Sequence, residues 1–267
     1  MLVVFTYLIT KDLVETLERK FGYKLNRDLT LDIRVLEDEF VSRFWSFIPN
    51  NISRVVIDTD STSKQLDSLV EKSEYPVVSL DRVYITNADE YIEVTRVTDP
   101  KTGEVKIGER PLSEPLEKQI NRLKKYDRVV LTDVGAFEGE TLIEICNLIE
   151  KEDIDIEEIF LGFADNRANR KINKNRRMKV LNLFDFYEWL ELRDLFGIDG
   201  RSVGTNKENR LYIPYWENLP KWASILDKYE QEVIELCKDY YKILTERLKS
   251  DDYNLEGLGT PVKYDGG

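Results

Sequence analysis

The stretch Arg128-Val-Val-Leu-Thr-Asp133-Val-Gly-Ala-Phe-Glu-Gly139-Glu-Thr141-Leu holds the residue types and order best suited to chemistry in this chain. A short apolar run ends in an acid, a loop with two glycines follows, and Leu142, Ile143, Ile145 and Leu148 then open a helical pattern. This order reads as a buried strand, a loop and a helix N-terminus, the place where open α/β sheets bind ligands. Gly135 and Gly139 would let the backbone approach a ligand closely. The unpaired N–H groups and the positive dipole end of the helix favour a phosphate. Asp133, expected at the strand's carboxyl end, could take sugar hydroxyls or a metal ion. An ordinary strand-to-helix turn with an acid nearby would look the same, and the sequence leaves both open.

Three further stretches carry candidate chemistry. Val55-Val-Ile-Asp58-Thr-Asp60-Ser-Thr62 is a strand ending in Asp-x-Asp-x-Thr, and it resembles the first motif of the haloacid-dehalogenase phosphohydrolases. That resemblance implies Asp58 as nucleophile and Asp60 as general acid/base on Mg2+. It also implies that Thr86 holds phosphate and that Lys106 and Asp165 complete the set, although Ser61 stands where glycine is preferred. The alternative is that Asp58 and Asp60 cap a helix starting near Ser61. Farther on, Glu188 to Arg201 alternates charged and apolar residues. Arg193 there could pair with Glu188 or Asp194, or could line a pocket with Asp199 and Arg201. Tyr212, Tyr215, Trp216 and Trp222 follow and could stack on a planar base. Finally, Arg167, Arg170, Lys171, Lys174, Arg176, Arg177 and Lys179 form a basic run. It suits either a solvated surface loop or a clamp for phosphate or nucleic acid, expected to face Asp133.

Composition narrows the chemistry. None of the 267 residues is histidine, which removes Ser-His-Asp and Cys-His catalysis and His-ligated zinc. Acid–base work falls to Asp, Glu, Lys, Tyr or bound water. The two cysteines, Cys146 and Cys237, lie on expected helices with apolar neighbours and read as core residues. A net charge of -12 argues against a general nucleic-acid scaffold. The first ten residues read as a strand, without a basic region or cleavage site, and no run approaches membrane-spanning length. A cytoplasmic location is the expectation.

The elements that must position these residues follow from periodicity. Helices are expected at Asp12 to Lys20, Leu36 to Ile48, Ser63 to Lys72, Ser113 to Lys125 and Gly139 to Lys151. Strands are expected at Val55 to Asp58, Pro76 to Leu80, Val83 to Thr86, Tyr91 to Val97, Val129 to Asp133, Ile159 to Phe163 and Met178 to Leu183. Pro100-Lys-Thr-Gly103 signals a hairpin turn into a strand at Glu104 to Ile107. Asn218 to Lys249 is helical in pattern, with Trp222, Ile225, Leu226, Tyr229, Val233, Leu236 and Tyr240 facing a sheet. The expected fold is therefore α/β, with a mainly parallel central sheet, helices on both faces and a C-terminal helical appendage. One domain spans residues 1–250, with its core at about 54–183 and the appendage at about 218–249. Residues 251–267 form a flexible tail.

From about Arg54 to Val180 the chain resembles the type I phosphoribosyltransferases. Their signature is an apolar strand, one or two acids, small residues, then Thr-Gly-x-Thr opening a helix. Asp133 falls on the first acid, Gly139 on the loop glycine and Thr141 on the last threonine. Val134 stands in place of the second acid, and Glu138 in place of a hydroxyl residue. A carboxylate at 138 would repel phosphate unless a metal or a basic residue offsets it. Tyr91 to Asp99, a turn, Gly108-Glu-Arg110-Pro and a helix precede the loop as in that family. The resemblance implies that a phosphoribosyl donor or nucleotide binds, and that the phosphoribosyl group passes to a nitrogen nucleophile. Asp133 would be the catalytic residue, binding the ribose hydroxyls, and a Mg2+ ligand. Asp133, Gly135, Glu138, Gly139, Thr141, Arg110 and Arg193 would form the substrate-binding set. Because the loop departs from the family, a non-catalytic nucleotide-binding or interaction protein stays open, as does a homo-oligomer.

Overall fold

The computed structural model describes residues 4–98, 105–110, 112–199, 201–203, 211–213 and 223–255. In chain order the elements are β1 (Thr6–Lys11), α1 (Leu13–Phe21), α2 (Arg27–Phe44), β2 (Ser53–Asp58), α3 (Thr59–Val70), β3 (Val77–Ser79), β4 (Glu90–Tyr91) and β5 (Val94–Thr98). Next come β6 (Val105–Glu109), α4 (Leu116–Asn121), β7 (Arg128–Ala136), α5 (Glu140–Glu150), β8 (Asp155–Asp165), α6 (Asn166–Ile172) and β9 (Met178–Phe184). β10 (Phe186–Glu191), α7 (Leu192–Leu195), β11 (Arg201–Val203), β12 (Leu211–Ile213) and a C-terminal helix (Glu230–Ser250) complete the order. The chain is α/β with mainly parallel sheets flanked by helices. It divides into two compact units: Thr59–Arg96 with Val105–Phe186, and Leu2–Asp58 with Val97–Glu104 and Tyr187–Gly267. Leu2–Asp58 thus share one unit with the C-terminal segment.

The first unit is built on a five-stranded sheet in the order β4-β3-β7-β8-β9, with every pairing parallel. Residues 129 to 132 of β7 and 159 to 165 of β8 are buried without a break, as strands covered on both faces require. Adjacent residues of β8 show the two covers. Leu161 belongs to a core with Leu142, Ile145 and Ile149 of α5. At Gly162 a Cβ would meet Thr62 Cγ2 of α3 at 2.6 Å and the Val134 carbonyl oxygen at 2.8 Å. Neighbouring residues of a strand point to opposite faces, so α3 and α5 cover opposite faces. Each fully buried Leu or Ile of this core contributes roughly 1.5–3 kcal/mol.

The second unit holds the three-stranded sheet β10-β1-β2, in which β1 pairs parallel with β2. β1 is central and buried along its whole length, whereas β2 alternates half-buried with exposed residues, as an edge strand does. α1 stops at Gly22, whose φ of 76° suits glycine and whose N–H bonds the Glu18 carbonyl. α2 starts at Asn26, whose side chain accepts the Leu29 N–H at 2.8 Å. Phe40 and Phe44 of α2 are fully buried, and Phe40 lies 5.0 Å from Phe196 and 5.3 Å from Tyr240, ring centre to ring centre. The α2 aromatics are thus core.

Several expectations are corrected. Val83 to Thr86 is a loop, not a strand; its backbone is held by side chains, with Asp81 Oδ1 accepting the Val83 and Tyr84 N–H groups at 2.7 Å each. Tyr91 to Val97 is broken between β4 and β5. The C-terminal helix shares the second unit's core with α2, β1 and β10, its Val233, Leu236, Tyr240, Leu244 and Leu248 lying in one cluster with Phe40, Phe44, Tyr7, Ile9 and Leu190. Its helical pattern begins only at Asp227–Tyr229, as a 3-10 turn; residues 218–222 lie outside the described residues. β5 and β6 are sheet neighbours, while the Pro100–Gly103 turn lies outside the described residues. Of the expected tail, residues 251–255 are described, and Tyr253 packs 5.0 Å from Phe21. Cys146 and Cys237 are free and buried, and burial pushes the Cys146 thiol up to about 12.

Candidate functional site

The chain enters the five-stranded sheet at β3, steps to β4 on one side, then returns to β7 and continues to β8 and β9 on the other. The strand order therefore reverses between β3 and β7. In an open parallel sheet that reversal leaves a crevice at the carboxyl ends of the two strands, because their connections leave in opposite directions. Two loops flank it, one after Ser79 and one after Ala136.

The second loop carries the candidate residues. β7 runs past Asp133 to Ala136, so the acid is three positions inside the strand rather than at its end; Asp133 pairs with Leu161 and Ala136 with Ala164 of β8. Asp133 is half-buried, and its Oδ1 accepts the Val134 N–H at 2.8 Å. Val134 is buried, which explains why an acid is absent there: the side chain belongs to the core. Gly135 is required by packing, since a Cβ would stand 2.5 Å from the Phe163 ring. Phe163 in turn packs on Phe186, and Phe137 of the loop lies 5.6 Å from Phe186, which anchors the loop's base. Gly139 has φ of 76° and stands immediately before α5, with its carbonyl accepting the Ile143 N–H at 2.9 Å. No side chain caps α5, so its first N–H groups keep their capacity for an anion. Glu138 is exposed and Thr141, in the first turn, is half-buried. Asp133, Gly135, Glu138, Gly139 and Thr141 therefore form one continuous strand–loop–helix unit.

The first loop escaped sequence reasoning. Ser79 Oγ donates to the Asp81 carbonyl at 2.6 Å and accepts the Asp81 N–H at 3.1 Å, so the turn after β3 is built from its own side chains. Arg82 projects from that turn, 3.2 Å from Glu93 and with its guanidinium 4.8 Å from the Tyr91 ring centre. The only sequence signal was a Ser-Leu-Asp-Arg run after a short apolar strand. Thr132, fully buried in β7 and paired with Ser79, has a hydroxyl without a hydrogen-bond partner.

Other candidates lie elsewhere. Arg110 follows β6, is half-buried, and its N–H bonds the Glu93 carbonyl at 3.0 Å. Arg193 belongs to the second unit, where it is buried; its N–H donates to Asp12 Oδ1 at 3.0 Å and its guanidinium pairs with Asp12 at 3.2 Å and Glu191 at 2.5 Å. Asp199 is buried in the same unit, 3.4 Å from Arg19. Tyr215, Trp216, Trp222 and the side chains of Arg201 and Tyr212 lie outside the described residues.

The residues of the phosphohydrolase motif each have their own local setting. Asp58 ends the edge strand β2 in the second unit, 3.3 Å from Lys11, its partner in register. Asp60 is exposed in the first turn of α3, which begins at Thr59, two residues before the expected start. Thr86 is in the loop after β3, and its N–H bonds Asp67. Asp165 is buried and caps α6, accepting the Arg167 N–H at 2.7 Å and the Phe186 N–H at 2.9 Å. Burial opposes ionisation of Asp165, but these bonds and the Arg167 guanidinium outweigh it and hold the carboxyl below its usual range.

The basic run divides instead of facing Asp133 as one patch. Arg167 pairs with Asp165 at 3.0 Å and Lys171 with Glu140 at 3.9 Å, beside the α5 start. Arg176 pairs with Glu150 at the end of α5, and Arg177 and Lys179 with Glu157 and Glu158 near the start of β8. The second group lies at the opposite end of the sheet because α6 carries the chain back to the start of β9. Arg170 is exposed.

No family model matches the chain, and no curated protein matches it. Among solved structures it is similar to an adenine phosphoribosyltransferase from Thermoanaerobacter pseudethanolicus, at 10% identity over 47% of this chain and 80% of that one, with a TM-score of 0.30. It is also similar to UMP synthase of Leishmania donovani, at 12% identity over 68% of this chain and 33% of that one, with a TM-score of 0.29. No described helix is long and apolar enough to cross a membrane.

Proposed function

We propose that the first unit binds a phosphoribosyl donor or nucleotide at the carboxyl ends of β3 and β7, and that the phosphoribosyl group passes to a nitrogen nucleophile. One observation carries this reading: Asp133 sits in the strand at the sheet's reversal point, and its strand leads through a glycine loop into an uncapped helix N-terminus. The loop's N–H groups and the α5 dipole suit the 5′-phosphate. Asp133 suits the ribose hydroxyls, and Arg82 supplies a cation on the facing loop for the diphosphate. Among the described residues no cluster of three or more ligating side chains could cage a metal. That fits Mg2+ arriving on the donor's diphosphate, since Mg2+ is commonly held by one or two carboxylates plus phosphate oxygens. When bound there, Mg2+ would neutralise charge on the leaving diphosphate. The protein's part is to hold donor and acceptor in line and stabilise the developing charge.

A second reading has its own observation. The position of the usual second acid is the buried Val134, and Glu138 stands exposed in the loop. Both changes weaken the grip on donor and metal, so a nucleotide-binding protein without transfer chemistry is the alternative. Isothermal titration with phosphoribosyl pyrophosphate and Mg2+, followed by an assay for released diphosphate across nitrogen nucleophiles, separates them. Binding with turnover supports transfer, binding without turnover supports the sensor, and no heat at millimolar ligand removes both.

A further inference from the structure

Glu138 and Glu140 flank Gly139 at the start of α5, and both are exposed. Each repels an anion approaching the loop. α6 packs directly against this point, since a Cβ on Gly139 would lie 2.9 Å from Ile172 Cδ1 and 3.5 Å from Ala168 Cβ. Ala168 and Ile172 are one helical turn apart and form the buried stripe of α6. Arg167 and Lys171 are also one turn apart, one position earlier, so they form the neighbouring stripe along the loop. Lys171 Nζ lies 3.9 Å from Glu140 Oε1, and the Arg167 guanidinium is held 3.0 Å from Asp165 at the end of β8. Asp165 chiefly, and Glu138 and Asp185 more weakly, raise the pKa of Arg167.

We propose that Arg167 and Lys171 are positioning residues of the phosphate loop: they offset Glu138 and Glu140, and so let a loop bearing two carboxylates accept a phosphate monoester. This rests on the function proposed above. It differs from a clamp made by the whole basic run, because Arg176, Arg177 and Lys179 are engaged by acids at the other end of the sheet. It also accounts for glycine at 139 twice over. The left-handed backbone starts α5, and the missing side chain lets α6 come close enough for its two cations to reach the loop.

The test is a charge cycle read by calorimetry with Mg2+–phosphoribosyl pyrophosphate and, separately, inorganic phosphate. Arg167→Ala/Lys171→Ala should weaken binding of both about tenfold at low salt, with a smaller loss at high salt, where screening already suppresses the attraction. Arg167→Lys/Lys171→Arg should stay within about twofold of the unmodified protein. Adding Glu138→Gln and Glu140→Gln to the double alanine variant should restore most of the affinity, which a purely structural role of the cations would not produce. A folded double alanine variant that binds like the unmodified protein, or one not rescued by neutralising the acids, overturns this inference and leaves the proposed function standing. No heat from the unmodified protein with either ligand overturns both. Should the double alanine variant fail to fold, Arg167→Gln and Lys171→Gln singly are read in the same way.

Discussion

Asp133 and Asp58 each belong to an apolar strand that leads into a helix, yet the fold gives them different surroundings. Asp133 lies on the central strand of a five-stranded parallel sheet, at the reversal of strand order; Gly135 lets that strand pack on Phe163, and Gly139 lets the following loop close onto α6. Asp58 ends the edge strand of a three-stranded sheet and is paired with Lys11. A crevice forms where neighbouring connections diverge, and an edge strand has only one neighbour to diverge from. The local pattern of acid and helix is therefore common to both, while the position of the strand in its sheet differs.

The sharpest way to break this contrast is steric. Gly135→Val should cost about 2–3 kcal/mol, since its side chain would enter the Phe163 ring; chemical denaturation reads this directly. A loss under about 0.5 kcal/mol would mean that β7 does not pack this closely on Phe163. Next in size, Asp133→Asn should weaken Mg2+–phosphoribosyl pyrophosphate binding about tenfold, near 1.4 kcal/mol, with little change in stability. Asp58→Asn should leave that affinity within about twofold. Equal effects from the two substitutions would erase the distinction.

Acids inside the two units sharpen it further through pH. Glu37 is buried in the second unit; its Oε1 accepts the Leu13 N–H at 3.0 Å and its Oε2 takes the Arg34 guanidinium at 3.0 Å. Burial dominates these bonds and pushes its carboxyl from 4.5 up to about 7. A raised native pKa means that the folded state binds the proton more tightly. The stabilisation is full below the unfolded value and lost as pH rises through the folded one. Denaturation midpoints should fall between about pH 4.5 and about pH 7, and Glu37→Gln should flatten that slope. Asp165, in the first unit, has the opposite sign. Its lowered pKa gives stability that is full above the ordinary aspartate range and lost as pH falls through the native value. Asp165→Asn should cost about 1 kcal/mol at neutral pH and less in acid, read by the same denaturation series. The smallest effect expected is none at all: with Mg2+ and an aryl phosphate, neither the unmodified protein nor Asp58→Asn should release phosphate. Hydrolysis lost in Asp58→Asn and kept in Asp133→Asn would reverse the assignment of the two strand ends.

Much of this was legible in the residues. The run Val129-Val-Leu131, the glycines at 135 and 139, and the step from a two-residue to a 3.6-residue repeat mark strand, loop and helix within a few positions. These are local signals, because the backbone preferences of glycine and the alternation of side chains act over a few residues. Sequence could not tell how far β7 continues past Asp133, since the buried Val134 and the packing of Gly135 depend on Phe163, which lies on another strand. Nor could it assign partners to the charges. Arg193 finds Asp12, 181 residues away, as well as Glu191 two positions before it. The basic run looks uniform in one dimension, and only the return of α6 to the start of β9 sends Arg167 and Lys171 to one end of the sheet and Arg176, Arg177 and Lys179 to the other. Sequence by itself thus determined the elements and the residue types at the loop. Tertiary structure decided which strand is central and which charges meet, because those depend on contacts between segments far apart in the chain.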